Sequence, residues 1–187
     1  LTALLLSASL LVGSIVSAQI TVVPAGINPG DPYRLVYITV GTTLATSSDI
    51  STYNTFVSND AAGNPLLLST GATWSVIGST QAVAAHDNTG TNPASGAGVP
   101  IYDLQGNKIA DNNFDLWDGT LDTGIRYSRD GAFYPGTVWT GTEIDGTPLE
   151  SVTFGSLALG AGPIGNKGFA NFSTGIWVNF ETDFATT

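Results

Sequence analysis

The sequence has no cysteine, no methionine, one histidine and only five basic residues among its 187. Each shortage excludes something. Without cysteine there is no disulfide scaffold, no thiolate zinc site and no thiol nucleophile. One histidine cannot build a histidine-rich metal centre. Fifteen acids against five bases give a net charge of −10, which excludes nucleic-acid binding through a basic patch. Charged residues make up 11% of the chain, against about 25% in an average soluble domain. What is present points to a folded domain. Apolar residues are 42% of the chain, with 8 Phe, 6 Tyr and 4 Trp, unlike a disordered sequence. The 23 Gly and 9 Pro imply frequent turns. The length suits one domain with a real core.

Residues 1–30 carry no charged side chain, and the first is Asp31. Leu4-Leu5-Leu6 and Leu10-Leu11-Val12 form an apolar run of signal-peptide length, short for a membrane span. Val16-Ser17-Ala18 sets small residues where signal peptidase cuts, which predicts cleavage before Gln19. The reading is a signal peptide over residues 1–18 without its basic start; a buried apolar helix is the alternative. Export with no cysteine points to a bacterial rather than an animal protein. The lack of oxidisable Cys and Met suits a long-lived extracellular protein.

Residues 19–32 hold Pro24, Gly26, Pro29, Gly30 and Pro32 and read as an extended leading segment. Residues 34–40 (RLVYITV) read as a strand. Thr46 and Asp49 have capping-box spacing, and Ile50, Tyr53, Phe56 and Val57 share one helix face. Gly63-Asn64-Pro65 ends that helix. A short strand is predicted over residues 73–77, a short helix from a Thr80 cap through Ala85, and a polar loop over residues 87–98. Residues 99–104 and 108–110 flank Gln105-Gly106-Asn107 as a hairpin. Asp111-Asn112 introduces a short segment with Phe114, Leu116 and Trp117. Residues 137–140 read as a strand, Asp145-Gly146 as a turn and residues 176–180 as a last strand. No periodic repeat and no internal linker divide the chain, so one mixed α+β domain is expected over residues 33–187.

Several motifs carry a family resemblance. Val99-Pro100-Ile101-Tyr102-Asp103-Leu104-Gln105-Gly106 is followed by Leu116-Trp117-Asp118-Gly119. Then come Gly136-Thr137-Val138-Trp139-Thr140-Gly141-Thr142 and Asp145-Gly146-Thr147-Pro148-Leu149. This order resembles the endostatin domain. Together with the RLVYIT strand, the helix around Tyr53 and Phe56 and the DNTGTNP loop, it is more similar still to bacterial secreted proteins that carry an exosortase-type (PEP-CTERM) sorting tail. The resemblance covers roughly residues 33–179. It implies a C-type-lectin-like fold: two short helices, a small mixed or antiparallel sheet, long loops and a core filled by Trp and Tyr. Endostatin's disulfides are absent, so packing must do more. In that fold a final strand returns beside the first, and the resemblance implies that residues 33–187 lack it. The Glu-Pro-Asn and Gln-Pro-Asp sugar loops of lectins are also absent. Thr91-Asn92-Pro93 reverses their order, and Trp177-Val178-Asn179 is a distant echo, so no calcium–sugar residue carries over.

The densest polar feature is Asp103, Asp111, Asp115, Asp118, Asp122 and Asp130. Asp111, Asn113, Asp115, Asp118 and Asp122 are candidate oxygen ligands for calcium. An EF-hand fails, because Leu116 stands where the loop needs glycine and Asp122 where it needs glutamate. The structural alternative makes Asp111 a helix cap, Asp115 a first-turn acid and Asp118-Gly119 a turn. His86-Asp87 suggests half a hydrolase triad, but no Gly-x-Ser-x-Gly elbow accompanies it. Trp74, Trp117, Trp139 and Trp177 read as core rather than as sugar platforms. The expectation is a non-enzymatic, secreted or cell-surface binding or structural domain of an extracellular matrix or envelope. The alternatives are a calcium-dependent carbohydrate-binding module and a polysaccharide hydrolase acting through two carboxylates. Expected partners are an extracellular polysaccharide or a surface protein, with no nucleic acid, no membrane span in the mature chain and no cofactor other than calcium.

Overall fold

The computed structural model describes residues 19–186; the expected signal peptide lies outside them. Residues 19–32 form neither helix nor strand, although the Thr21 amide donates to the Leu104 carbonyl at 2.6 Å. Strand β1 (Arg34–Val36) follows. Helix α1 (Ile50–Ala62) starts at Asp49, whose side chain accepts from the Ser51 amide at 2.9 Å. Asp49 is therefore the cap. The Tyr53 hydroxyl, buried one turn in, donates to the Ser47 carbonyl and accepts from the Ser47 amide, which fixes the approach to the helix. Gly63-Asn64-Pro65 ends α1 as expected and at once begins α2 (Pro65–Ser69), with Asn64 capping the Leu66 amide and proline in the first turn.

Helix α3 (Ala85–Asn88) leads to β2 (Ile101–Asp103) and β3 (Lys108–Ala110). β2 runs parallel to β1 and antiparallel to β3. The predicted hairpin is present, and buried Asp103 organises its turn. Its carboxylate accepts from the Gln105 and Asn107 amides, each at 2.9 Å, while Gly106 takes φ +80°. Helix α4 (Asn113–Leu116) is capped by Asn112, which accepts from the Phe114 and Asp115 amides. A second sheet begins with β4 (Thr137–Trp139). After the β5 (Glu150–Ser151) and β6 (Gly155–Ser156) hairpin, β7 (Ile164–Phe169) pairs with β4 on one side and β8 (Glu181–Phe184) on the other, all antiparallel. The architecture is mixed α+β, with four α-helices and small sheets among the described residues. Four replace the two helices expected.

Three local expectations are corrected. Residues 73–77 form no strand: the Val76 amide and carbonyl are held by the side chains of Asn54 and Asn88, each at 2.9 Å. Thr80 caps nothing; it bridges to Leu159, and the Ser79 hydroxyl accepts from the Ala85 amide at the start of α3. Residues 176–180 are not a strand, because Gly175–Trp177 is a 3-10 turn and pairing begins at Glu181. Part of the predicted 87–98 loop is also ordered, as the end of α3 and a 3-10 turn at Pro93–Ser95 capped by Asn92.

The main core gathers Val36, Ile101, Ile109, Leu116, Trp117 and Trp177. The Trp117 and Trp177 rings meet at 5.6 Å with a 38° tilt, and the Trp117 indole donates to the Thr91 hydroxyl at 2.9 Å. Burying each such large side chain stabilises the fold by about 1.5–3 kcal/mol. Trp74 and Trp139 are half-buried against two smaller clusters. All four tryptophans therefore pack against hydrophobic clusters.

Candidate functional site

The hairpin and α4 bring three of the five candidate calcium ligands together. β3 carries Lys108. Asp111 lies on the link to α4, Asp115 in the first turn of α4, and Asp122 in the following loop, where its amide donates to the Ile109 carbonyl at 3.0 Å. One carboxylate oxygen from each of Asp111, Asp115 and Asp122 lies within 4.8 Å of the others. The Asp111 amide also donates to the Asp115 carboxylate at 2.6 Å, a capping contact. Lys108 reaches into this group. Its ammonium pairs with Asp111 and, at 3.1 Å, with Asp122. Hydrogen bonds to Asp111 first, and then to Asp122, hold the Lys108 ammonium well above the usual lysine range.

The other two candidates lie elsewhere. Asn113 is buried, and its side-chain amide donates to the Gly96 carbonyl at 2.9 Å. Asp118 forms a turn, accepting from the Thr120 amide at 2.8 Å and its hydroxyl at 2.9 Å. Asp103 is used in the hairpin, and Asp130 lies 3.6 Å from Arg129. The sequence expectation missed Lys108 as the partner of the cluster. The signal available was the i,i+3 spacing of Lys108 and Asp111 just after the hairpin.

His86 is mostly buried, with its ring set edge-on to Trp117 at 6.4 Å. Its Nδ1 lies 3.0 Å from Asp87, but without hydrogen-bond geometry, so Nδ1 has no hydrogen-bond partner. The Asn92 side chain donates to Asp87 and, with a smaller contribution from His86, holds its carboxyl below the usual range. Partial burial works against ionisation of Asp145, but the Thr147 hydroxyl and amide outweigh it and also set that carboxyl low. These groups fix loops.

A cavity of about 950 Å³ lies between the two three-stranded sheets. Leu35, Tyr37, Phe56, Trp139 and Trp177 are among its walls. Protein interiors are close-packed. The space is a pocket partly open to solvent rather than an enclosed void. Arg34 and Lys167 are the charged side chains on the walls. The Arg34 guanidinium donates to the Thr89 and Gly90 carbonyls, and Lys167 pairs with Asp183 while lying 4.5 Å from the Trp139 ring centre. No described helix is long and apolar enough to cross a membrane. No protein-family model and no curated protein matches this chain.

Proposed function

We propose that this chain is a secreted or cell-surface, non-enzymatic binding or structural domain of an extracellular matrix or envelope. One observation carries the reading: the group of three converging carboxylates found among the described residues closes on Lys108. A two-carboxylate hydrolase needs one carboxyl free to give or take a proton at the sugar. Here the Lys108 ammonium pairs with one oxygen each of Asp111 and Asp122, and the Asp111 amide donates to one oxygen of Asp115. The apolar run and small-residue cleavage pattern of residues 1–18 support export. Short helices, small sheets and long loops fit a C-type-lectin-like, endostatin-like topology, and the PEP-CTERM-associated kind rests on the sequence motifs alone.

The test is to express the chain in an exporting bacterial host, sequence the N-terminus of the secreted product and assay it against extracellular polysaccharides. The reading expects Gln19 as the first residue and no release of reducing ends. Turnover that disappears in Asp111→Asn or Asp122→Asn with unchanged folding would replace it with the hydrolase. The closeness of Asp111, Asp115 and Asp122 favours one second reading, a calcium-dependent carbohydrate-binding module. Retention on a polysaccharide column in calcium, with release by chelator, separates that reading from the first.

A further inference from the structure

The cavity between the two sheets differs in charge from the rest of the protein. The chain holds 15 acids and 5 bases, yet no Asp or Glu among the described residues lines the cavity, while the bases Arg34 and Lys167 do. Lys167 is paired with Asp183. Among the described residues Arg34 has no carboxylate partner. Its terminal nitrogens donate to the neutral carbonyls of Thr89 and Gly90 at 2.9 and 2.8 Å, and its buried Nε has no hydrogen-bond partner. A second donor is on the walls. Trp177 lines the cavity as a fully buried side chain whose indole N–H also lacks a partner. Its ring lies 5.6 Å from that of Trp117, whose indole donates to the Thr91 hydroxyl. The Thr91 and Thr89 hydroxyls bond each other at 2.7 Å, and both threonines line the cavity. Arg34 and Trp177 thus flank one connected polar corner of a space whose other walls include Tyr37, Phe56 and Trp139.

These walls define the chemistry of what fits. Small-molecule sites are mostly apolar, about 300–1,000 Å³ in volume, with a few convergent polar groups. This cavity has about 950 Å³. A guanidinium without a counter-charge, next to unpartnered N–H donors, calls for an anion, and a carboxylate supplies both the charge and the acceptors. An oligosaccharide would bring many hydroxyls against mainly hydrocarbon walls and leave them unpaired. An apolar amine would face two cations and no carboxylate. A neutral lipid would leave Arg34 without its counter-charge. A long-chain carboxylic acid meets each requirement.

We propose that the cavity is a binding site for a fatty acid, with the carboxylate at Arg34 and the hydrocarbon chain between Tyr37, Phe56 and Trp139. This assignment rests on the cavity alone and is independent of the functional reading above. Isothermal titration and tryptophan fluorescence test it, with dodecanoate and dodecanol as probes of the unaltered protein. Dodecanoate is expected to saturate one site and to bind about tenfold or more tightly than dodecanol, the scale of a hydrogen bond to a charged group. Each methylene removed from the acid is expected to weaken binding about fourfold, as burial of hydrocarbon requires. Arg34→Gln is expected to abolish the preference for the acid while dodecanol binds as before, and Arg34→Lys to restore part of it. A merely structural role for Arg34 would weaken both probes alike and overturns the carboxylate's place. Equal affinity for acid and alcohol, or a folded Arg34→Gln that keeps the preference, overturns it too. Binding that does not saturate, or that ignores chain length, overturns the site itself. If Arg34→Gln does not fold, the acid–alcohol comparison and the chain-length series on the unaltered protein decide.

Discussion

Asp60, in the last turn of α1, lies 3.3 Å from the Arg129 guanidinium, 69 residues further along the chain. The same carboxylate accepts from the Val40 and Gly41 amides at 3.2 and 3.1 Å. One side chain thus ties the exit of the first strand, the end of the long helix and the 129–131 turn. Both partners are largely removed from water. Asp60→Ala removes the counter-charge of a largely buried guanidinium and the acceptor of two amides, while the Arg129 bond to the residue-60 carbonyl remains, and is expected to cost about 3–5 kcal/mol. Urea unfolding of the variant checks this. A loss below 1 kcal/mol, on the scale of an exposed pair, would show that the tie is not structural.

Two glycines with the same sign of φ separate backbone strain from steric exclusion. Gly26 has φ +86° with nothing within 4 Å of an added Cβ. Gly160 has φ +70°, and a Cβ there would lie 2.1 Å from the Ser47 backbone. Gly26→Ala is expected to cost about 1–2 kcal/mol, the penalty of the left-handed conformation. Gly160→Ala adds a clash with backbone that cannot yield, and its cost exceeds the ~1–3 kcal/mol of strain alone. Denaturation midpoints of the two variants give the comparison, and equal losses would remove the steric component.

Elements built from local chemistry were legible in the sequence. The apolar face of the long helix, the Gly63-Asn64-Pro65 stop and the Gly106 hairpin appear where they are expected; the helix start does not, since the capping-box spacing points to Thr46 as cap and Asp49 takes that place, three residues later. Elements fixed by distant partners were not. β7 reads Ile-Gly-Asn-Lys-Gly-Phe, a poor strand by propensity. It holds because it is the central strand, with β4 and β8 on either side. Asn166 is buried in it and donates to the Val178 carbonyl at 3.1 Å. Residues 73–77 fail as a strand for the converse reason, since two asparagine side chains hold Val76 where a neighbouring strand would. At the candidate site the acids were visible as a cluster. Which of them converge was not, because Asn113 turns inward toward Gly96 while Asp122 returns beside β3.

Stability is expected to decline in acid. The carboxyls of Asp49, Asp87, Asp145 and Asp183 are all held below the usual range. For Asp183 the main cause is its hydrogen bond from Lys167; for Asp49 it is the Ser51 amide. A carboxyl with a depressed folded-state value binds its proton more weakly in the folded than in the unfolded state. Its stabilisation is present above the unfolded value of about 3.9 and is lost as pH falls through the folded value. The melting midpoint should therefore hold between pH 7 and 5 and drop below about pH 4. Asp183→Asn should flatten that acid limb. An unchanged limb would mean that the Lys167 pair contributes nothing in solution.

The most direct measurement is the thermal midpoint of the protein in excess calcium and then in chelator. Lys108 already serves as counter-cation to Asp111 and Asp122, so the two midpoints are expected to coincide. Lys108→Ala is the control. It leaves three carboxylates within 4.8 Å of one another without the ammonium, and calcium should then raise the midpoint by binding the native state. A calcium-dependent rise in the unaltered protein, abolished by Asp115→Asn, would contradict the account and make the trio a metal site.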